Sequence, residues 1–239
     1  MKFSITFAAI FLLASCASTS PKPFTVDPRS PSFPAGSVPA QSDKPLSSEV
    51  QAQTLTLSYF PVEDAVCIQF RAEFVNYYLY LNRPGRDTFL SSLGLYKADY
   101  ETRTLNTKAG RKEKRVYGLA RSFLGWQVSG FLSSPAFGQV DVNFGYAFKG
   151  PPKNKTPYFS ITQNQAEYQS EEIGHKVTSS RVWLYFTRAQ ADELAALFDQ
   201  EFLWGLGGDG GAARATQSER MEEGVEVKTV EEAFFEEGF

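Results

Sequence analysis

The side chains in this chain of 239 residues that could do chemistry are two cysteines, one histidine and a scatter of carboxylates. Cys16 and Cys67 could form a disulfide, the ordinary pairing in an exported chain; Cys16 could equally be a reactive thiol, a metal ligand or an attachment point. Cys67 sits in DAVCIQFRAEF between Val66 and Ile68. With apolar flanks and no basic neighbour to lower its pKa, it reads as an inert core residue. His175 is the only histidine. A zinc site needs two or three converging ligands, and Glu171 and Glu172 beside it supply no second imidazole, so a surface histidine in a polar loop is the better reading. The same scarcity weakens a Ser-His-Asp triad, and no G-x-S-x-G elbow is present. GLGGDG matches G-x-G-x-x-G at Gly205, Gly207 and Gly210. That fingerprint binds pyrophosphate only between a strand and a helix N-terminus. Here it follows a helical pattern and leads into acidic sequence, so Gly205 reads as a helix C-cap. Two carboxylates at a set separation would serve a glycosidase, and Glu73, Asp141, Glu167, Glu171 and Glu172 are available. KAGRKEKR gathers Lys108, Arg111, Lys112, Lys114 and Arg115. It is either a solvated loop or a surface site for a partner, anionic headgroups or an acidic polymer. Trp126, Trp183, Tyr77 and Tyr78 could present a sugar- or lipid-binding surface, though aromatics more often pack a core. No catalytic residue, metal ligand or cofactor is assigned.

The setting of Cys16 is more informative. Lys2 precedes an apolar run from Phe3 to Ala14. About a dozen residues are too few to span a bilayer, which takes roughly 20. A basic start, a short apolar core and small residues at its end read as a secretory signal. Leu13-Ala14-Ser15-Cys16 resembles the lipobox of bacterial lipoproteins. The resemblance covers about twenty residues and implies cleavage after Ser15, a thioether lipid on Cys16 and an acylated new N-terminus. Two or more chains make such an anchor stable, and a lipidated Cys16 leaves Cys67 a lone thiol. The resemblance implies a membrane-anchored protein of the cell envelope. Ala17 is not the aspartate that commonly retains lipoproteins in the inner membrane, so outer-membrane residence is expected where there are two membranes.

The elements that must position these residues divide the chain in four. Residues 1–15 are the signal peptide, and 16–51 are the lipidated cysteine with a Pro/Ser-rich tether. That tether cannot bury enough apolar surface to offset its ordering entropy. It would span roughly 30 Å as a coil and about 110 Å stretched. Residues 206–239 are a glycine hinge and a tail with nine acidic against three basic residues, expected to be disordered. Its ending EEAFFEEGF leaves open a short docking peptide.

Residues 52–205 make one domain. TLTLSYF, CIQFRAEF and QVDVNFGYAFK alternate with period two, as antiparallel strands with one wet face do. In the second, Ile68, Phe70, Ala72 and Phe74 share the apolar face. KGPPKNKTP reads as a hairpin turn returning through YFSITQ, and RVYGLARSFLGWQVSGF as a strand bent at Gly125. Two segments break the period, YLNRPGRDTFLSSLGLYKADY and YFTRAQADELAALFDQEFL. Each is a strand feeding directly into a helix. Thr187 and Gln190 have capping-box spacing, with Ala191, Leu194, Phe198 and Phe202 as one apolar stripe; Phe89, Leu93, Tyr96 and Tyr100 form the other. Tyr80 aligns with Tyr185, Asn82 with Thr187 and Arg83 with Arg188, which is either a weak duplication or two solutions to one turn problem. The fold class expected is α+β, a mainly antiparallel sheet with two helices, each following a strand. The function expected is a lipid-anchored binding or assembly module, met by an envelope protein or polysaccharide and not by nucleic acid. The alternatives are a polysaccharide hydrolase using two carboxylates and a carrier of a hydrophobic ligand.

Overall fold

The computed structural model describes residues 23–43, 50–105, 115–128, 135–151, 155–169 and 175–207. In chain order the elements are β1 (Phe33–Asp43), β2 (Val50–Phe60), β3 (Ala65–Ala72), β4 (Val75–Asn82) and α1 (Arg83–Glu101). β5 (Arg115–Val128), β6 (Ala136–Lys149), β7 (Thr156–Gln163), β8 (Glu167–Gln169) and β9 (Lys176–Thr178) follow. The last are β10 (Val182–Phe186), α2 (Arg188–Leu197) and α3 (Gln200–Leu206). Eight strands close into one antiparallel barrel in the order β1-β10-β7-β6-β5-β4-β3-β2, and β8 with β9 forms a separate hairpin. Closure overturns the expected α+β class: β10 does not end an open sheet but pairs back onto β1, Gln41 opposite Tyr185 and Ser42 opposite Leu184. An eight-stranded sheet that twists can remove both edges by closing.

The register is strongly staggered. One hydrogen-bonding line runs through Gln41, Tyr185, Ser160 and Gly145 to Val116, near the start of β5. Going the other way, the line through Ser37, Thr56, Gln69 and Tyr78 meets β5 at Gly125. Stagger of this size tilts the strands and widens the barrel. Leu55, Leu57, Ile68, Leu79, Leu124 and Phe144 are buried in its core. The outer wall carries Thr54, Thr56, Gln69 and an Arg121–Asp141 ion pair at 2.7 Å. That is the inverse of a membrane-spanning barrel, which is apolar outside and polar within.

One end is sealed by helices. Both helices that follow strands start there: Asn82 caps α1 by accepting from the Gly85 amide at 3.1 Å, and Thr187 and Gln190 form the expected capping box on α2. Phe89 of α1 meets Phe144, Phe159 and Phe198 edge to face at 5.7, 5.4 and 4.9 Å. The second stripe is not one helix. α2 stops at Leu197, Asp199 caps α3, and Leu203 is buried where Phe202 stays exposed. Gly205 falls inside α3, and Gly207 is its C-cap. β5 has its irregularity between Val116 and Gly118, not at Gly125. β3 ends at Ala72, which leaves Phe74 in the turn and out of the core.

The expected tether over 16–51 is corrected too, because 33–43 is a barrel strand. Ahead of it, Phe24 and Val26 pack across the outer wall against a cluster that includes Phe60, Cys67, Tyr80, Phe123 and Phe137. Gln139 Nε2 donates to the Phe24 carbonyl, and Ser30 Oγ meets Glu63 Oε1 at 2.7 Å. This strap runs from the loop end of β6 to the β2–β3 turn at the helix end.

Candidate functional site

The barrel interior changes character toward the loop end. Gln53 follows the parity of Leu55 and Leu57 on β2, Ser122 and Trp126 that of Leu124 on β5, and Gln163 that of Phe159 and Ile161 on β7. Ser122, Trp126 and Gln163 are 0, 1 and 2% exposed. Both amide atoms of Gln53, Ser122 Oγ, Trp126 Nε1 and Gln163 Oε1 are shut away from solvent without a hydrogen-bond partner in the protein. Each such orphan costs about 1–3 kcal/mol, and native interiors hold few of them. Here donors and acceptors from three strands share one end of one enclosure. Beside them Tyr77 lies opposite Trp126 in the ladder and stacks on Phe70 with ring centroids 5.1 Å apart.

A connection between β7 and β10 crosses this mouth. Gln163 Nε2 donates to the Ser180 carbonyl at 3.3 Å, and Tyr77, three strands round the wall, also hydrogen-bonds Ser180. Burial pushes the Tyr77 hydroxyl pKa up, while the Ser180 contacts oppose that. Ser179 clamps Ala166 twice, its amide donating to the Ala166 carbonyl at 2.8 Å and its Oγ accepting from the Ala166 amide at 2.9 Å. β8 comes so close to β6 that a Cβ on Gly138 would lie 2.8 Å from the Glu167 carbonyl oxygen. Only glycine lets the cover seat there.

The opposite end holds a buried ion pair of structural character. Arg86, 1% exposed, donates through Nη2 to Asp64 Oδ1 at 2.8 Å and to Gln200 Oε1 at 2.6 Å. Its Nη1 reaches the Asp64 carbonyl at 2.6 Å. The Tyr59 hydroxyl and Gln200 Nε2 both donate to Asp64 Oδ1, at 3.1 and 3.2 Å. Burial, and then the Asp64 charge, raise the Tyr59 pKa. The set joins the β2–β3 turn to α1 and α3 and leaves the guanidinium no room for a substrate.

The residues singled out from sequence are dispersed. Cys16, Lys108, Arg111, Lys112, Lys114, Glu171 and Glu172 lie outside the described residues, as does the acidic tail from 208 onward. Arg115 opens β5 opposite Tyr146. His175 is exposed beside the start of β9. Glu73 is in the β3–β4 turn, Asp141 pairs with Arg121 outside the barrel, and Glu167 pairs with Lys176 on the small hairpin, so these three carboxylates do not converge. Among the described residues no group of three His, Cys, Asp or Glu could hold a metal ion. Trp126 and Tyr77 enter the interior site, whereas Trp183 and Tyr78 lie on the outer face of their strands. Gln53, Ser122 and Gln163 were missed, although each is a polar residue in step with an apolar face.

No curated protein and no solved structure matches the chain. A family model described as "Uncharacterised Treponema protein" matches residues 35–204, which takes in the barrel strands except the first two residues of β1, the cover and most of the helical seal, and the chain belongs to that family.

Proposed function

We propose that this protein is a lipoprotein of the bacterial cell envelope, held by a lipidated Cys16, whose barrel is a binding module with its site in the loop half of the interior. The observation that carries the binding reading is the group of enclosed, unpartnered polar atoms on Gln53, Ser122, Trp126 and Gln163. An eight-stranded barrel is at the size where the interior either fills with side chains or admits one small ligand. Apolar walls with a few convergent polar groups are the ordinary lining of a ligand site. The amide, hydroxyl and indole groups of these four residues suit an uncharged, amphipathic molecule. The hydrolase alternative gains nothing from the described carboxylates, since two of the three are occupied by cations on the outer surface. Residence in the outer membrane is part of the proposal and rests on Ala17.

Native mass spectrometry of the protein released gently from its own envelope tests the reading. The expected spectrum shows one small molecule bound per chain, lost in a Ser122→Ala/Trp126→Phe variant. That variant removes atoms that are unpaired in the ligand-free protein, so it should unfold at a urea concentration close to that of the parent stripped of its ligand, and below that of the ligand-bound parent. A bare parent, together with a destabilised variant, would mean that water satisfies these groups and that the interior is not a site.

A further inference from the structure

The strap fixes how the barrel meets the lipid, given the anchoring proposed above. From Cys16 to Phe24 is eight residues of chain, which reach at most about 29 Å fully extended. Phe24 is fastened near the loop end of β6 through Gln139. From there the strap heads toward the helix end, where Ser30 meets Glu63. The chain therefore enters the strap from the loop-end side, at the end of a short leash.

On that same side stands the β3–β4 hairpin. Two residues, Glu73 and Phe74, connect Ala72 to Val75. Glu73 adopts φ +55, a left-handed conformation unfavourable for a residue with a Cβ. The turn thereby holds Phe74 out at 73% exposure, the highest among the large apolar side chains described. Tyr168, on the cover hairpin, is also exposed. Aromatic side chains gain by lying at the boundary between lipid and water. We infer that the loop end of the barrel rests on the bilayer surface, with Phe74 dipping into the headgroup region and the covered mouth turned toward the lipid. A ligand would then enter and leave at the membrane surface and not from bulk water.

The inference rests on the lipid anchor, so the test reads anchor and orientation separately. The full chain, exported and purified in detergent, is reconstituted into vesicles of phosphatidylethanolamine and phosphatidylglycerol containing a spin-labelled quencher lipid. A fluorophore is attached at Phe74→Cys in one sample and at Val62→Cys, an exposed position at the helix end, in another. Buried Cys67 is closed to the reagent. Mass spectrometry of the N-terminal peptide reports acylation in the same samples. With Cys16 acylated, quenching should be at least several-fold stronger at position 74 than at 62. Equal quenching, or the reverse order, with Cys16 acylated overturns the orientation and leaves the anchor intact. A bare Cys16 overturns the anchor and this inference with it. Hydrogen exchange on the unsubstituted chain supplies a second readout: amides of 73–76, and not those of 61–64, should slow on reconstitution, and no slowing at 73–76 counts against the inference.

Discussion

Burial, more than any neighbour, sets the chemistry of Cys67. Desolvation pushes its thiol from 9.0 up to about 12, with a small opposing contribution from a hydrogen bond to Tyr80. In the unfolded chain the thiol titrates near its ordinary value. Between pH 9 and 12 the folded protein therefore keeps a proton that the unfolded chain has lost, and stability falls as pH rises. The slope approaches about 1.4 kcal/mol per pH unit. Tyr59, Tyr80, Tyr96 and Tyr185 are raised by burial as well; they act with the same sign but start a unit higher. Urea unfolding at pH 8, 9 and 10 separates the two. Relative to a Cys67→Ala variant, the parent should lose up to about 1 kcal/mol more between pH 9 and 10. Parallel pH profiles would show that the thiol is not held protonated. The folded protein should also resist thiol alkylation at pH 8, where only a small thiolate fraction would exist even without burial.

At the scale of elements, α1 owes its seat on the wall to a missing side chain. A Cβ on Gly118 would come within 2.4 Å of Ser92 Oγ and 2.7 Å of Thr88 Cγ2, both on α1. Those atoms are in turn held by bonds to the helix backbone, Ser92 Oγ to the Thr88 carbonyl at 2.7 Å and Thr88 Oγ1 to the Pro84 carbonyl at 2.8 Å. Gly118→Ala should lower stability by about 1–3 kcal/mol, against about 1 kcal/mol for Thr187→Ala, which removes the cap of α2. Chemical denaturation should rank them in that order, and a neutral Gly118→Ala would mean that α1 can slide. The elements themselves were largely legible. Alternation in QVDVNF and CIQF marks strands because one face is wet, and capping chemistry at Thr187 is local, so both survive without tertiary information. β1 was hidden because FPAGSVPAQSD lines the interior with small residues, Ala35, Val38 and Ala40, and carries two prolines that ordinarily argue against a strand. They are tolerated because β10 pairs with β1 only at Gln41 and Ser42; ahead of those residues that side of β1 behaves as an edge. The candidate site was illegible for the opposite reason. One glutamine in step with leucines looks like noise until the fold brings Gln53, Ser122, Trp126 and Gln163 into one interior.

For the whole molecule, closure is the property that no local pattern announces. β1 to β4 with α1, then β5, β6, β7 and β10 with α2, make the same unit twice, four strands and a helix across one end. The sequence correspondence at Asn82 and Thr187 falls at the same corner of both units. Neither unit alone satisfies its edge strands, so the barrel is completed only by contacts between residues far apart in the chain, such as Gln41 with Tyr185. The strap adds a second long-range clamp from outside. It shields the outer aromatics, among them Tyr80 and Phe123, whose ring centroids lie 5.9 Å apart, and Phe123 and Phe137, stacked at 5.5 Å. Replacing Phe24 and Val26 by alanine should therefore uncover an apolar patch without touching the interior. The expected loss is about 2–4 kcal/mol, read as a lower urea midpoint, together with new binding of a hydrophobic dye or concentration-dependent self-association. Ligand retained by the parent should survive in this variant, because Gln53, Ser122, Trp126 and Gln163 sit on the other face of the wall. Loss of the ligand together with the strap would show that outer clamp and inner site are coupled through the strands between them, and that the strap is part of the binding machinery and not only a fastening.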